Sequence, residues 1–358
     1  MPYERLARRL ADGPTPAVST LPDGSVDRYC RLSAGGLNPV ESRTTFAREA
    51  AAGHRKGFTL DPRAVEAGGQ SVNAAQQAHA LGAEATCYGH LDDPEPDRDL
   101  FADLPFDCVS MGRATVVNVL DFDDGDLLLV EESPDLREWT LADLREAAPL
   151  SSVFGDDEAA PEDRSEPGHA VFCSNWVSTP GMGDAFHELG TASIPRVPFV
   201  FDPGDVLGSD LAAHRELREA VRALARRVDV VLSVNETELR ALSAALPAPP
   251  DPPVDDEDRV EAVRAAFDAF AVVKHGKQSA LAATDVATVR VENPVVDDIR
   301  QMGGGDRFGG GLAVALGAGW DWPVALACGN ACASYYVATS ETASAATLRE
   351  WLLDRGLA

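Results

Sequence analysis

Lysine is nearly missing from this 358-residue sequence, which holds only Lys56, Lys274 and Lys277. The remaining basic residues are arginines, and 31 basic residues face 58 acidic ones, for a formal net charge of −27. A field of that sign repels nucleic acid and anionic membranes, so neither is expected as a partner. Long apolar runs are also missing. No stretch reaches the roughly 18 residues of a membrane span, and no N-terminal segment reads as a signal peptide, so a cytoplasmic location is expected. Cys30, Cys87, Cys108, Cys173, Cys328 and Cys332 show no C-x-x-C spacing, the pattern of reduced core thiols rather than of a metal or redox site. There is no G-x-x-x-x-G-K-[ST] and no G-x-G-x-x-G after a first strand, which speaks against a P-loop or a dinucleotide fold. Without internal repeats or a clean boundary, residues 1–358 read as one domain.

What is present is 45% apolar content, arranged as alternating strands and helices. An acidic, lysine-poor, alanine-rich composition of this kind fits a protein of a salt-loving archaeon, where a hydrated acidic surface keeps proteins soluble. The alternation predicts a mainly parallel sheet with helices on both faces. Strands are predicted at Ala17–Leu21, Ala85–Tyr88, His169–Cys173, Pro198–Phe201, Val228–Val234 and Ala271–Lys274. Helices are predicted at Ser71–Leu81, Asp210–Arg227, Glu236–Leu246, Val260–Phe270, Asp306–Leu316, Trp322–Thr339 and Ala346–Asp354. Arg28–Leu32 and Thr115–Val130, with an Asp-rich turn at Asp123–Asp126, read as strands of antiparallel type outside the main sheet. Gly155–Gly168 and Pro247–Asp258 read as solvated loops.

Polar or glycine-rich turns follow several of these strands. Gly303-Gly304-Gly305-Asp306-Arg307-Phe308 opens a helix. Its glycines let backbone N–H groups converge on an anion, and the helix start adds partial positive charge. Asp306 would sit beside that anion, as a base taking a proton from an attacking hydroxyl must. Gly68 and Gly69 precede another helix, with Asn73 in its first turn offering donor and acceptor to a sugar hydroxyl. Asp27 follows the first strand. Asn235-Glu236-Thr237-Glu238 and Lys274-His275-Gly276-Lys277 end later strands, where open α/β sheets bind ligands. Each alone is ordinary turn or cap chemistry; their recurrence in order is the signal.

In that order the turns resemble the PfkB family of carbohydrate kinases. The resemblance implies a ribokinase-like three-layer α/β/α fold with a small β-sheet lid, formed by about residues 28–58 and 108–131. It implies sugar contacts at Gly24, Ser25 and Asp27 and at Gly68, Gly69 and Asn73. Nucleotide contacts are implied at Asn235, Lys274, Gly276 and Asn330, and Glu238 would serve magnesium indirectly through phosphates or water. Gly303, Gly304 and Gly305 become the anion hole and Asp306 the catalytic base. ATP and Mg2+ are the implied co-substrate and cofactor, and a homodimer through the lid is the implied assembly. Three departures stand out. Arg300-Gln301-Met302 replaces the Asp-Thr-Thr that often helps hold a monovalent cation. Lys274 stands for a threonine, and Ser279 for a second glycine.

His54-Arg55-Lys56 is a basic cluster in an acidic chain, and Arg300 lies beside the glycine loop. Arginine and lysine are common phosphate clamps. The expected acceptor is therefore a sugar phosphate, such as ribose 1-phosphate, held in part by Arg55 and Lys56. A neutral sugar, a nucleoside or a keto-deoxy sugar acid is the alternative, and a non-catalytic sugar-binding regulator on the same fold is a second.

Overall fold

A computed structural model describes residues 1–358 except 14, 36–37, 54–55, 96, 157–167, 251–253 and 298–301. Part of each predicted loop, Gly155–Gly168 and Pro247–Asp258, thus lies outside the described residues, as do His54, Arg55, Arg300 and Gln301.

The strands are β1 (Ala17–Leu21), β2 (Ser25–Ser33), β3 (Thr59–Gly68), β4 (Glu84–Gly89), β5 (Asp107–Ser110), β6 (Thr115–Leu120), β7 (Leu127–Glu131), β8 (His169–Ser174), β9 (Pro198–Asp202), β10 (Asp229–Asn235), β11 (Ala271–His275), β12 (Ser279–Ala283) and β13 (Thr288–Glu292). The helices are α1 (Pro2–Asp12), α2 (Arg43–Ala51), α3 (Gln70–Ala80), α4 (Pro134–Glu138), α5 (Leu141–Ala147), α6 (Leu150–Phe154), α7 (Met182–Leu189), α8 (Leu211–Leu224), α9 (Glu236–Ala244), α10 (Asp256–Phe267), α11 (Gly304–Gly317), α12 (Trp322–Thr339) and α13 (Ala345–Asp354).

Among the described residues, nine strands form one sheet in the order β13-β12-β11-β10-β9-β8-β1-β4-β5. From β11 to β5 all neighbours are parallel, and β12 and β13 close one edge antiparallel. The parallel strands are nearly continuous apolar runs because both faces are covered. On one face Val18, Phe172, Val200 and Val273 pack against α1, α3, α11, α12 and α13. On the other, Val171, Phe199, Leu232 and Val272 pack against α5 to α10. Local chemistry starts several helices. The Asp210 side chain accepts from the N–H groups of Ala212 and Ala213 at the head of α8, and Asp255 accepts from Asp258 N–H at the head of α10. This is the predicted three-layer ribokinase-like architecture.

Four strands form the smaller sheet, in the order β3-β2-β6-β7. Its makeup corrects the predicted boundaries. Residues 107–110 belong to the main sheet, where they pair parallel with β4, so the second segment of the small sheet begins at Thr115. Between 34 and 58 the chain carries α2, whose Phe46 packs on Phe58 and Phe122, and the missing strand is β3. The two segments predicted as antiparallel, β2 and β6, pair in parallel. Each continues from a parallel strand of the main sheet, β1 or β5, so both leave that sheet in the same direction. The β6–β7 turn across Asp123–Asp126 is antiparallel as expected.

Chain order reverses at β1, which lies between β4 and β8. In an open parallel sheet such a switch point leaves a crevice beyond the carboxyl ends of the strands. The turns after β1, β8, β9, β10 and β11 all end there.

Candidate active site

Asp23, just past β1, organises this crevice. Its carboxylate accepts from the backbone N–H groups of Gln70 and Ser71 at 3.0 Å each, from the Ser71 hydroxyl at 2.6 Å and from the Ser174 hydroxyl at 2.9 Å. One buried group therefore caps α3 and ties it to the ends of β1 and β8. Asp27 follows on β2, its Oδ1 accepting from the Ser25 hydroxyl at 2.6 Å. Gly68 pairs with Ser25 across β2 and β3, and a Cβ at that position would overlap the Asp27 carboxylate.

α11 begins at Gly303, which adopts φ +84°, a conformation that glycine takes without strain. Gly304 and Gly305 form the first turn and Asp306 completes it, buried. Asn73, in the first turn of α3, donates from Nδ2 to Asp306 Oδ2 at 2.8 Å. Burial raises the Asp306 pKa, while the Asn73 hydrogen bond and the Arg307 charge oppose that rise. Arg307 donates to the Asn73 carbonyl and to Gln76, and its guanidinium lies over the Tyr336 ring.

These groups open on a cavity of about 320 Å³. Asp27, Tyr29 and Glu66 line it from the small sheet, Asn73 and Gln76 from α3, and Gly303, Asp306 and Arg307 from α11. Asp103 and Tyr336 line it as well. Four carboxylates, Asp27, Glu66, Asp103 and Asp306, thus meet one cation, Arg307, among the described lining residues. Lys56 is exposed and is not part of this lining.

A second acidic group stands at the next strand ends. The buried Asp202 carboxyl, at the end of β9, has its pKa pushed up to about 8, first by burial and then by the Glu238 charge. Glu238 is itself pushed up to about 7, mainly by burial, with the Asp205 charge adding to it. Asn235 and Glu238 form a reciprocal cap at the head of α9. Asn235 Oδ1 accepts from the N–H groups of Thr237 and Glu238, and Glu238 Oε2 accepts from Asn235 N–H at 2.8 Å. The Gln70 carboxamide lies beside both Asp202 and Asp306, linking this pair to the cavity. These oxygen donors suit a hard divalent cation. The described residues nonetheless hold no cluster of three ligating His, Cys, Asp or Glu side chains, so such an ion would need phosphate or water oxygens as well.

Two of the residues read as nucleotide contacts are buried in the packing of the fold. Lys274 is buried on the α10 side of the sheet, with Nζ 3.6 Å from Asp256 Oδ2. Strand alternation puts it on the face opposite to α11. Asn330 is buried in α12 and donates to the Val291 carbonyl at 3.0 Å, so its amide fastens α12 to β13. Gly276 does lie at the carboxyl end of β11, and its carbonyl accepts from Asn293. His275 beside it stacks on Phe308 at 4.9 Å and packs against Gly305 from below, its pKa driven down to about 4 by burial.

Asp23, Glu66, Asp202, Gln70, Arg307 and Tyr336 went unmarked at the sequence level. Asp202-Pro203-Gly204-Asp205 is a polar turn after an apolar strand, the signal that marked Asn235 and Lys274. Tyr336 carries no such signal, because it ends an otherwise apolar helix.

Three comparisons place this geometry. The family model of prokaryotic ketohexokinase matches residues 46–355. A ketohexokinase of Haloferax volcanii is 29% identical over 289 residues, which cover 77% of this chain and 72% of that protein. Among solved structures, a ribokinase from Thermotoga maritima aligns with TM-score 0.66 at 15% identity, covering 94% of this chain and 99% of its own. A fructokinase from Vibrio cholerae, solved with fructose, ADP and calcium ion, aligns with TM-score 0.58 at 19% identity, covering 93% and 96%. These structural likenesses show the ribokinase-like fold. The chain belongs to the prokaryotic ketohexokinase family, within the PfkB carbohydrate kinases, and is a sugar kinase: a phosphotransferase with an alcohol group as acceptor.

Proposed function

We propose that this member of the prokaryotic ketohexokinase family moves the γ-phosphoryl group of ATP onto a hydroxyl of a neutral ketohexose, with Asp306 as the base. The observation that carries the reading is the Asn73–Asp306 pair at the head of a cavity lined by carboxylates. Carboxylates accept hydrogen bonds from sugar hydroxyls. They repel a phosphorylated acceptor, and the lining's single described cation already donates to Asn73 and Gln76. That balance favours the neutral sugar over the sugar phosphate suggested by the His54–Lys56 cluster. The Haloferax relative, a ketohexokinase, points the same way.

In this reading Asp27 accepts from a pair of acceptor hydroxyls, and Asn73 and Asp306 hold the attacking one. Asp306 takes its proton as the oxygen meets the phosphorus. The N–H groups of Gly304, Gly305 and Asp306 face the charge that develops on the transferred group. Asn235, Glu238 and Asp202 would serve a magnesium ion through the phosphates, and that ion would supply charge neutralisation. Burial raises the Asp202 and Glu238 pKa values first and the neighbouring carboxylates add to it, so a cation there would relieve a real charge penalty. Closure of the small sheet over the sugar would exclude water as a competing acceptor. Leu128, Leu129 and Val130 on its edge strand β7 are exposed, an apolar strip suited to pairing two copies through their small sheets.

The test is an acceptor panel with ATP and magnesium at molar salt, reading ADP release. A ketohexose should give the highest kcat/KM, and excess chelator should abolish turnover. A clear preference for sugar phosphates or nucleosides would defeat the neutral-ketohexose assignment.

A further inference from the structure

Arg307 follows Asp306 directly and is 4% exposed. Its Nη1 donates to the Asn73 carbonyl at 2.5 Å, its Nη2 donates to Gln76 Oε1 at 2.8 Å, and its Cζ lies 4.7 Å from the Tyr336 ring centroid. The Asn73 side chain donates in turn to Asp306 at 2.8 Å. These contacts close a ring. It runs from Asp306 through the Asn73 side chain to the Asn73 backbone, on to the guanidinium, and back along one peptide bond to Asp306. The fork of the guanidinium clamps Asn73 and Gln76, three residues apart on the first two turns of α3, and the ring face of Tyr336 brings in α12. A buried guanidinium is costly unless its donors are used, and here two of them are used on the element that carries Asn73.

We propose that Arg307 is a positioning residue of the phosphoryl transfer: by clamping the Asn73 backbone and Gln76 it sets the Asn73–Asp306 contact at the head of the cavity. The proposal rests on the reading of Asp306 as the base. It assigns Arg307 to geometry rather than to holding the acceptor, which predicts an effect on kcat larger than on KM. It also predicts a charge effect, because Asp306 is surrounded by carboxylates. Asp23 faces it from the β1–β2 turn, Asp27 from β2, Glu66 from β3, Asp103 from the turn before β5 and Asp202 from β9. The neutral groups around it are Gln70, Asn73 and, beneath Gly305, His275. Removing the guanidinium leaves that set with its nearest cation gone, so Asp306 should become harder to ionise.

The experiment compares Arg307→Met and Arg307→Lys with wild type at molar potassium chloride, across pH, using the acceptor that wild type turns over best. Misplacement of a catalytic pair costs up to about a hundredfold, so Arg307→Met should lose about ten- to a hundredfold in kcat. Acceptor KM should move much less, and the acid limb of kcat should shift to higher pH. Arg307→Lys keeps the charge but not the fork, so its acid limb should return towards wild type while kcat stays low. An Arg307→Met enzyme with kcat within about twofold of wild type and an unshifted acid limb would overturn the proposal. If that variant does not fold, Gln76→Leu decides, since it removes one anchor and leaves Arg307 and Asp306 in place. A lowered kcat supports the clamp, and an unchanged kcat overturns it. A different best acceptor would defeat the ketohexose assignment and leave this proposal standing. A wild type that phosphorylates no sugar would take the proposal down with the kinase reading.

Discussion

Nδ2 of Asn73 donates to Oδ2 of Asp306 across 2.8 Å, so a single hydrogen bond joins the first turn of α3 to the first turn of α11. The residues are 233 apart in the chain, and the cavity opens at their meeting point. Asp306→Asn keeps the shape of this contact and removes the basicity. A general base contributes about 10²–10⁴-fold, and kcat should fall by that much, while calorimetry still detects the acceptor. A loss of less than tenfold would remove Asp306 from the chemistry.

The Asp202–Glu238 pair makes stability depend on pH in an unusual direction. Both carboxyls hold protons in the folded state, with pKa values near 8 and 7, that they release at ordinary carboxylate pKa values when unfolded. A group whose pKa is raised by folding stabilises the fold fully below its unfolded pKa and loses that contribution as pH rises through the folded one. In the absence of nucleotide and metal, Tm should therefore decline between about pH 4 and 8. Asp202→Asn removes the larger of the two shifts and should flatten the decline, raising Tm at pH 8.5 by about 2 °C, the equivalent of roughly 1 kcal/mol in a chain of this size. An unchanged slope in the variant would show that Asp202 does not titrate across this range.

Gly68 ends β3 beside the Asp27 side chain of β2. A Cβ there overlaps the Asp27 carboxylate, so Gly68→Ala must push Asp27 off its present position against Ser25. Hydrogen bonds to a charged group are worth about 1.5–3 kcal/mol, so acceptor KM should rise about ten- to a hundredfold. The KM for ATP should hold, because Asp27 lies on the small sheet, away from Asn235 and Gly276. Equal changes in both constants would point to a general loss of structure instead.

Much of the main sheet was legible in the sequence because its strands are buried on both faces and read as plain apolar runs, as β8, β9 and β10 do. α12 was placed at Trp322–Thr339, where the structure has it, since Asp321 and Pro323 mark its start. β3 escaped notice. Nine of its ten residues are at least partly exposed in a row without alternation, and Pro62 interrupts the pattern. α1 was overlooked although Tyr3, Leu6, Ala7 and Leu10 follow helical spacing. The site divides in the same way. Gly68, Asn73, Gly303 and Asp306 sit in local backbone motifs that a sequence displays. The Arg307–Asn73 clamp and the Asp202–Glu238 pair join distant segments, and a single sequence carries no record of such pairings.

Lys56 is the expected acceptor contact for which the cavity offers least support. It attracted attention because lysine is so rare in this chain, yet its side chain is exposed and the cavity is lined without it. Surface substitutions away from a site usually change energies by no more than about 0.5 kcal/mol, so Lys56→Ala should leave acceptor KM within about twofold. A tenfold rise would return the His54–Lys56 cluster to the acceptor site.

Charge sets the conditions under which all of these measurements work. With 58 acidic and 31 basic residues, even complete pairing leaves 58 − 31 = 27 carboxylates without a partner. Many of the ion pairs that do form, such as Arg5–Asp321 and Arg63–Asp61, are exposed, and pairs of that kind contribute at most about 1 kcal/mol each. The surplus repulsion acts over a Debye length of about 10 Å at 0.1 M salt but only about 3 Å at 1 M. Salt therefore relieves far more repulsion than it costs in screened surface pairs, and the compact state should gain stability as ionic strength rises. Thermal unfolding in dilute buffer should occur at a lower temperature than in molar potassium chloride, and sodium chloride at equal strength should give a similar gain if screening is the cause. A Tm that does not move between dilute and molar salt would mean that the acidic surface is solvated without strain, and that its charge is no liability to the fold.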